Sequence, residues 1–166
     1  MSKKVLIPLV IIALFFTACS TSNSPTTKAP SAAVTKKEVS AAYQSFFNLH
    51  NPSLGAKLSV IQDSKALSSA ISTAMSSSLA KDAGGAKVTA ITPYTKSQCA
   101  NAALTYPCAK VAYSILSTNG SVLTSGAGYA VYSNGKWLVA KATVCGLLSL
   151  FSEYSGSKTP IAGCST

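Results

Sequence analysis

The sequence contains no arginine and very few acidic residues. All 14 basic residues of the 166-residue chain are lysine, whereas Asp and Glu together number 4, so the formal net charge is +10. Arginine supplies the bidentate contacts to phosphate and guanine that nucleic-acid-binding proteins favour. The lysines are scattered along the chain, so we predict no nucleic-acid partner. We attribute the charge first to solubility and then to a general attraction to anionic lipid or acidic wall polymers.

Groups for acid–base catalysis are also scarce. The candidates are His50, Asp63, Asp82, Glu38 and Glu153. The histidine lies in a predicted loop. We interpret Asp63 and Glu38 as helix-capping residues and Asp82 and Glu153 as surface charges, so no two of these groups form a candidate catalytic dyad. The sequence has no Gly-x-Ser-x-Gly elbow and no phosphate-binding loop. We therefore predict a protein that is not an enzyme and that holds no metal or cofactor.

The first twenty residues resemble a bacterial lipoprotein signal. Lys3 and Lys4 precede an apolar run of about 12 residues, which is too short to span a bilayer. The tetrapeptide Phe16–Cys19 resembles a lipobox, in which cleavage precedes the cysteine and its thiol is lipidated. We predict a signal peptide over 1–18 and a palmitate-bearing anchor at Cys19, which places the protein on the extracytoplasmic face of the cell membrane. The competing interpretation is a plain secreted protein.

The cysteine count agrees with export. The five cysteines are Cys19, Cys99, Cys108, Cys145 and Cys164. If Cys19 carries lipid, four remain, and an even number in an exported chain predicts two disulfides among three possible pairings. We predict Cys99–Cys108, which closes a short loop, and Cys145–Cys164, which ties down the C-terminal tail. A zinc site is the competing interpretation, and the lack of closely spaced cysteines disfavours it.

Composition divides the mature chain into a tether and one domain. Residues 19–33 are rich in Ser, Thr and Pro and contain no large apolar side chain, so they read as a tether. Residues 34–166 are enough for a single domain. A capping box at Thr35–Glu38 predicts the first helix, and 54–61 predict a short second one. Apolar residues at every fourth position predict a third helix, which Gly84-Gly85 ends.

After these helices the apolar period changes to two, which predicts strands. Strands are expected over 87–94, 110–118, 121–132 and 136–144, with a loop from Lys96 to Pro107. Asn-Gly pairs at 119–120 and 134–135 predict two tight hairpins. Gly126 and Gly128 predict a bulge or bend in mid-strand. The fold class is therefore α+β, with two to three helices packed on a bent antiparallel sheet of about four strands.

The hairpins assign side chains to the two faces of this sheet. One face is uncharged and rich in small residues, from Ala112 to Val144, and we predict that the helices cover it. The other face carries an aromatic set, Tyr113, Tyr132 and Trp137. We interpret this set as a second small core under the C-terminal segment. The alternative is a ligand or partner surface, because Tyr and Trp suit sites that are partly buried and partly wet.

The element order and several motifs resemble known proteins. The stretch from about Val34 to Phe151 resembles the low-molecular-weight secreted antigen family of mycobacteria and other actinobacteria. The residues that carry this resemblance are Lys57–Leu79, Val88–Ile91, Asn134–Leu138 and Cys145–Leu148. The arrangement also resembles the cystatin-like cone of the nuclear transport factor 2-like superfamily. The resemblance implies export to the cell envelope and brings no activity to assign.

Within that superfamily the mouth of the cone often holds a small apolar ligand, and some members are isomerases or cyclases. We therefore predict a non-catalytic envelope lipoprotein that binds a small apolar ligand or a protein partner. A pocket enzyme is the first alternative, and Asp63 or His50 pointing into an enclosed cavity would favour it. A structural spacer is the second alternative, and a cone filled by its own apolar side chains would favour that one.

Overall fold

The computed structural model describes residues 30–48, 53–156 and 160–164. The predicted signal peptide, Cys19 and most of the tether lie outside the described residues, as does His50. The elements in chain order are α1 (Ala32–Phe47), α2 (Leu54–Leu58), α3 (Ser64–Met75), α4 (Ser78–Lys81), β1 (Ala83–Pro93), α5 (Lys96–Asn101), β2 (Cys108–Ser117), β3 (Val122–Ser133), β4 (Lys136–Val139) and α6 (Lys141–Tyr154). Helices packed on a four-stranded antiparallel sheet confirm the predicted α+β class.

The four strands follow each other in sequence order across the sheet, β1-β2-β3-β4. Both predicted hairpins form, and positive φ angles at Gly120, Asn134 and Gly135 show why Asn and Gly occupy these turns. The predicted bulge at Gly126 and Gly128 is wrong, because the β2–β3 register runs unbroken through both glycines. The irregularities lie instead between Ile115 and Leu116 of β2 and at two points along β1.

The first helix begins earlier than its predicted capping box. Ser31 is the N-cap, and its side chain accepts a hydrogen bond from the Val34 backbone N–H. Thr35 is instead buried one turn inside α1. Ser31 and Thr35 both offer a hydroxyl that suits an N-cap, and the sequence does not decide between them; the burial of Thr35 accords with its place inside the helix.

The predicted third helix does not run to Gly84-Gly85: α3 ends at Met75, the short α4 follows, and both glycines lie inside β1. Two further helices were missed in the sequence. The predicted loop after β1 contains α5, and its capping box joins Thr95 and Gln98. The last predicted strand ends five residues early, at Val139, and the chain continues as α6. Apolar residues from Val144 to Phe151 do recur at helical spacing, so that signal was present in the sequence. None of the helices in the described part of the chain has the length and apolarity needed to cross a bilayer.

The main core lies on the aromatic face of the sheet, so the predicted assignment of the helix-covered face was wrong. Helices α1, α3 and α6 pack against this face, where Val111, Tyr113, Trp137 and Val139 are buried. The opposite face holds a smaller core at one end, around Leu138, which α5 and its connecting loops cover. Large aromatic side chains bury more apolar area than the Ala and Ser residues of the other face, so the helices pack over them.

Candidate functional site

The three aromatic residues that the sequence placed together do share one face, but mostly inside the core. Tyr113 and Trp137 are 4% and 5% exposed, and Tyr132 is half-buried with its ring 5.6 Å from that of Trp137. The ring of Tyr43, from α1, lies 5.1 Å from the ring of Tyr113. The set is therefore part of the helix-covered core, and of its three members Tyr113 also lines the groove described below.

Strand β3 is much longer than its neighbour β4, and this mismatch creates the candidate site. β4 pairs with residues 130–133 of β3 only. We call 128–133 the closed half of β3 and 122–127 the open half. The open half pairs with β2 on one side, and no described strand lies on its other side. Every side chain of the open half is exposed, including Val122 at 60% and Leu123 at 48%.

Tyr129 closes the edge where β4 no longer pairs with β3. Its backbone N–H donates to the hydroxyl of Thr143 at 2.6 Å, and its carbonyl accepts from the Ala140 N–H at 2.9 Å. The Tyr43 hydroxyl donates to the same carbonyl at 3.0 Å. Both backbone groups of Tyr129 therefore point away from β2. Their hydrogen-bond partners are Ala140 and Thr143 at the start of α6 and the side chain of Tyr43 in α1.

Two glycines set how closely the neighbouring side chains approach each half. A Cβ atom on Gly128 would lie 2.8 Å from Thr143 Oγ1 and 2.9 Å from the Tyr43 hydroxyl, so no larger residue fits without movement. A Cβ atom on Gly126 would lie at ordinary contact distance, 3.5 to 3.9 Å, from the ring of Tyr113. The glycines therefore make room for side chains and do not mark a bend.

The outer edge of the open half presents unpaired backbone groups. Backbone N–H and C=O groups alternate in direction along an antiparallel strand. Since those of Tyr129 point outward, those of Ala127 and Ser125 do so as well. No partner for these four groups is present in the part of the chain that the structure describes. Water pairs with them in the isolated domain, and another strand could replace that water.

Helix α6 forms a second wall opposite this edge. Leu147 and Leu150 line the groove on the helix side, and Tyr113 and Ile115 line it on the sheet side. The groove has a volume of about 380 Å³ and is open to solvent. Leu150 is 63% exposed, which makes it the most exposed large apolar side chain among the described residues. The site thus combines apolar walls with a row of free backbone hydrogen-bonding groups.

The residues that line this groove are uncharged. Its lining contains no Asp, Glu, Lys or His, and its titratable groups are the phenols of Tyr113 and Tyr129. Burial raises the pKa of Tyr113 above its ordinary value, so this phenol stays neutral at physiological pH. The nearest lysine in sequence is Lys141, which precedes the lining residue Ala142.

A second groove lies between α1 and β1. It has a volume of about 300 Å³, and Thr35, Lys36, Val88, Ile91 and Pro93 contribute to its walls. It lies at the first turns of α1, on the side of the sheet far from the β3 edge. Its lining is more polar than that of the β3–α6 groove, and it runs along β1, an edge strand of the sheet that pairs with β2 alone among the described strands.

The acidic residues considered for catalysis lie apart from both grooves. Asp63 occupies the N-cap position of α3 in a left-handed conformation, but its side chain makes no capping hydrogen bond. Asp82 and Glu153 are exposed, and Glu38 is half-buried on α1. In the described ranges no three His, Cys, Asp or Glu side chains come together in an arrangement that could hold a metal ion.

No pattern in the sequence predicted that a lysine would be buried. Lys57 of α2 is 2% exposed, and its ammonium group donates to the carbonyls of Phe46 at 2.8 Å and Asn48 at 2.9 Å. It thereby caps the C-terminal end of α1, where the helix dipole favours a cation. Desolvation lowers the pKa of Lys57. This lysine holds α1 and α2 together and does not face either groove.

Both predicted disulfides are present. Cys99–Cys108 joins α5 to the start of β2, and its two residues are 0% and 1% exposed. Cys145–Cys164 joins α6 to the C-terminal segment, which keeps that segment against the main core. The first bond stabilises the smaller core, and the second fixes the helix that forms one wall of the groove. Disulfides of this kind are typical of exported proteins.

Comparison with known proteins gives one family. A family model described as the C-terminal domain of low molecular weight antigen MTB12 matches residues 32–155. A search of curated proteins finds no match for the chain. The matched range begins at the first residue of α1 and ends one residue beyond α6, so it covers both walls of the groove and the whole sheet.

Proposed function

Because this chain belongs to the family of the low molecular weight antigen MTB12 C-terminal domain, we propose that it is an exported lipoprotein that acts as a non-catalytic binding module. In this proposal lipid on Cys19 holds it at the extracytoplasmic face of the cell membrane. Membership of the family indicates a secreted or envelope protein. The anchor and the binding role are the steps that we add.

The lipid anchor is supported by how the cysteines are used. Four of the five cysteines form two disulfides, which leaves Cys19 as the single cysteine without a disulfide role. Its place at the end of an apolar run, after Phe-Thr-Ala, fits lipidation. The 12 residues from Cys19 to Ser31 would span at most about 40 Å when extended, which keeps the domain close to the membrane. A diacyl anchor gives the stable attachment that one chain cannot.

The binding role rests on one observation, the groove between the open half of β3 and α6. Its volume of about 380 Å³ lies in the range of ligand sites, and its walls are apolar with a few aligned polar groups. The interior on the concave side of the sheet is filled by core side chains such as Tyr43, Leu67 and Ile71. This filling is the result that favours the structural spacer over a ligand in the mouth of a cone. The binding role that we propose therefore depends on the groove at the edge of the sheet alone.

The helix-on-sheet arrangement also supports kinship with the nuclear transport factor 2-like cone. Helix α1 crosses the concave face of a four-stranded antiparallel sheet and contributes Tyr43 to its core. We propose this kinship for the architecture alone. The acids and the histidine on which enzymes of that superfamily rely have no counterpart among the residues that line the groove.

The anchor is tested by substituting Cys19. The full-length chain and its Cys19→Ala variant are produced in a bacterial host, and the membrane and soluble fractions are separated. We expect the wild type in the membrane fraction, with an N-terminal peptide whose mass includes a diacylglyceryl group. The variant should lack that mass and leave the membrane. A variant that remains membrane-bound, or a wild type without the added mass, contradicts the anchor.

The binding role is tested with a photo-crosslinking residue at two matched positions. Leu150 and Val34 are both exposed, at 63% and 44%, but only Leu150 lines the groove. With the crosslinker at 150 we expect adducts in the living host, and a Leu147→Lys substitution should remove them. With the crosslinker at 34 adducts should be weaker by at least fivefold. Equal adducts at both positions, or none at 150, contradict a binding groove.

A further inference from the structure

We infer that the groove binds an extended segment of another envelope polypeptide, neutral or acidic in charge, as a fifth strand paired with the open half of β3. This inference rests on the proposed function and names the class of partner for the same groove. It follows from the hydrogen-bonding groups, the side chains and the charge of the described residues.

The free backbone groups distinguish a peptide from a lipid chain. The N–H and C=O groups of Ser125 and Ala127 point into the space that an added strand would occupy. An acyl chain in that space would remove water from these four groups and offer no hydrogen bond in return. A peptide in extended conformation restores all four bonds, as in other cases of strand addition. The edge therefore favours a polypeptide.

The space between the two walls fits one added strand, whose side chains point alternately to its two faces. Six residues of the open half extend for about 20 Å, enough to pair with a segment of about six residues. Alternate side chains of that segment would face Tyr113, Ile115, Leu147 and Leu150, so apolar residues are expected at every second position. Small residues on both walls, such as Gly146, leave room for the added backbone.

Charge argues against a second copy of this chain and for an acidic or neutral partner. The chain has 14 lysines and 4 acids, so two copies repel each other. The groove itself carries no charged side chain, and Lys141 follows the short β4 next to it. In a β3–β3 pair each copy would also have to place its strand beneath the α6 wall of the other. A separate extended segment avoids both obstacles.

A matched pair of substitutions at one residue tests the inference. In Ser125→Pro the outward N–H is replaced by a ring carbon, while the β2 ladder keeps its bonds because Ser125 does not donate to β2. Ser125→Ala removes the same hydroxyl, which contacts the Ser114 hydroxyl at 2.8 Å, and keeps the N–H. Mature wild-type protein is immobilised, and a displayed library of random ten-residue peptides is selected on it.

We expect selected peptides with alternating apolar residues and a net charge that is zero or negative. They should bind Ser125→Ala within twofold of the wild type and Ser125→Pro at least tenfold more weakly. Leu150→Lys should also weaken them about tenfold, while Val34→Lys, at an exposed apolar residue of α1 outside the groove, should not. This pair keeps the test valid if Ser125→Pro does not fold. Peptides that bind Ser125→Pro as well as the wild type, or that are not extended and alternating, overturn strand addition.

Two further measurements distinguish a peptide from the other possible occupants, a fatty acid and a second copy of this chain. A dansyl-labelled fatty acid that binds the wild type, is lost in Leu150→Lys and is unaffected by Ser125→Pro would overturn the peptide and preserve the binding role of the groove. Sedimentation that shows a dimer broken by Ser125→Pro would make a second copy the occupant and overturn the inference. If peptide, fatty acid and dimer are all absent, the inference and the proposed binding role fail together, while the Cys19 anchor is judged separately.

Discussion

The closed and open halves of β3 belong to one strand and share one register with β2, yet their surroundings differ. In the closed half, β4, the start of α6 and Tyr43 satisfy the outer edge, and the residues from Gly128 to Val131 are mostly buried. In the open half no described element covers the edge, and every residue is exposed. The difference begins where β4 ends, at Val139.

This difference shows that the edge is exposed because of chain topology. The chain leaves β4 after four residues and turns into α6 at Ala140, so β3 continues for eight residues beyond its last partner in β4. The usual protections of an edge strand, a lysine or a proline, are absent from 122–127. One bulge at its hairpin end is the only irregularity in this pairing. An unprotected edge beside an apolar helix wall is what a partner strand requires.

The largest expected effect is on the closed half. Gly128→Ala should lower the free energy of unfolding by about 3 kcal/mol, because its Cβ overlaps Thr143 and Tyr43. Gly126→Ala is the matched control in the open half and should change stability by no more than about 0.5 kcal/mol, since its Cβ meets only ordinary contacts. Urea unfolding of both variants measures the gap. Equal costs at the two glycines would remove the distinction between the halves.

A smaller effect is expected at the residue that ends the closed half. Thr143→Val keeps the shape of the side chain but leaves the Tyr129 N–H without its 2.6 Å partner. We expect a loss of about 2 kcal/mol, the usual cost of an unpaired and partly buried N–H group. Amide hydrogen exchange at residue 129 should accelerate. An exchange rate unchanged from the wild type would mean that water accepts the hydrogen bond of the Tyr129 N–H as well as Thr143 does.

Tyr43→Phe should cost about 1 kcal/mol at neutral pH, through loss of the hydrogen bond to the Tyr129 carbonyl. Burial raises the pKa of Tyr43 well above its ordinary value, with the Thr143 hydroxyl partly opposing the shift and Tyr113 adding to it. The raised pKa means that stability from this group is complete below about pH 10 and declines as pH rises further. The gap between wild type and variant should therefore shrink in alkaline unfolding series.

Tyr113 and Lys57 are present in both proteins of that comparison. Burial raises the pKa of Tyr113 and lowers that of Lys57, so their effects on the pH dependence of stability have opposite signs. Because wild type and variant both contain these two residues, their contributions cancel when the two proteins are compared. A gap that stays constant from pH 8 to pH 11 would contradict the shifted pKa of Tyr43.

The smallest effect is expected at the open groove. Leu150→Ser should change the free energy of unfolding by less than about 0.5 kcal/mol, because its side chain is 63% exposed and contributes little to the core. Thermal unfolding measures this change. A loss above 1 kcal/mol would show that Leu150 stabilises the fold, and would weaken the case that its exposure serves a partner.

Local signals in the sequence predicted much of the fold. The Asn-Gly pairs gave both hairpins, alternation gave the strands, and cysteine spacing gave both disulfides. The face that the helices cover was assigned wrongly, because periodicity sorts residues into two faces but does not decide which one is packed. The burial of Tyr113 and Trp137 depends on where α1 crosses the sheet.

The groove could not be predicted from short-range sequence patterns, because distant segments of the chain form it. It depends on β4 stopping at Val139 and on α6 returning alongside β3, and the sequence pattern favoured a longer strand to Val144 instead. Gly126 and Gly128 were noticed, but their purpose is set by Tyr113, Tyr43 and Thr143 from distant segments. Contacts between residues far apart in sequence leave no short-range pattern.

Chemical modification of the buried Lys57 ammonium group can report separation of α1 and α2. Amine-reactive reagents reach lysines in proportion to their exposure, so surface lysines such as Lys110 should acylate within minutes while Lys57 stays protected by α1 and α2. Modification at Lys57 then counts only those molecules in which the two helices have separated. Mass spectrometry of that one peptide, taken from the labelled protein, would report how often the two helices separate.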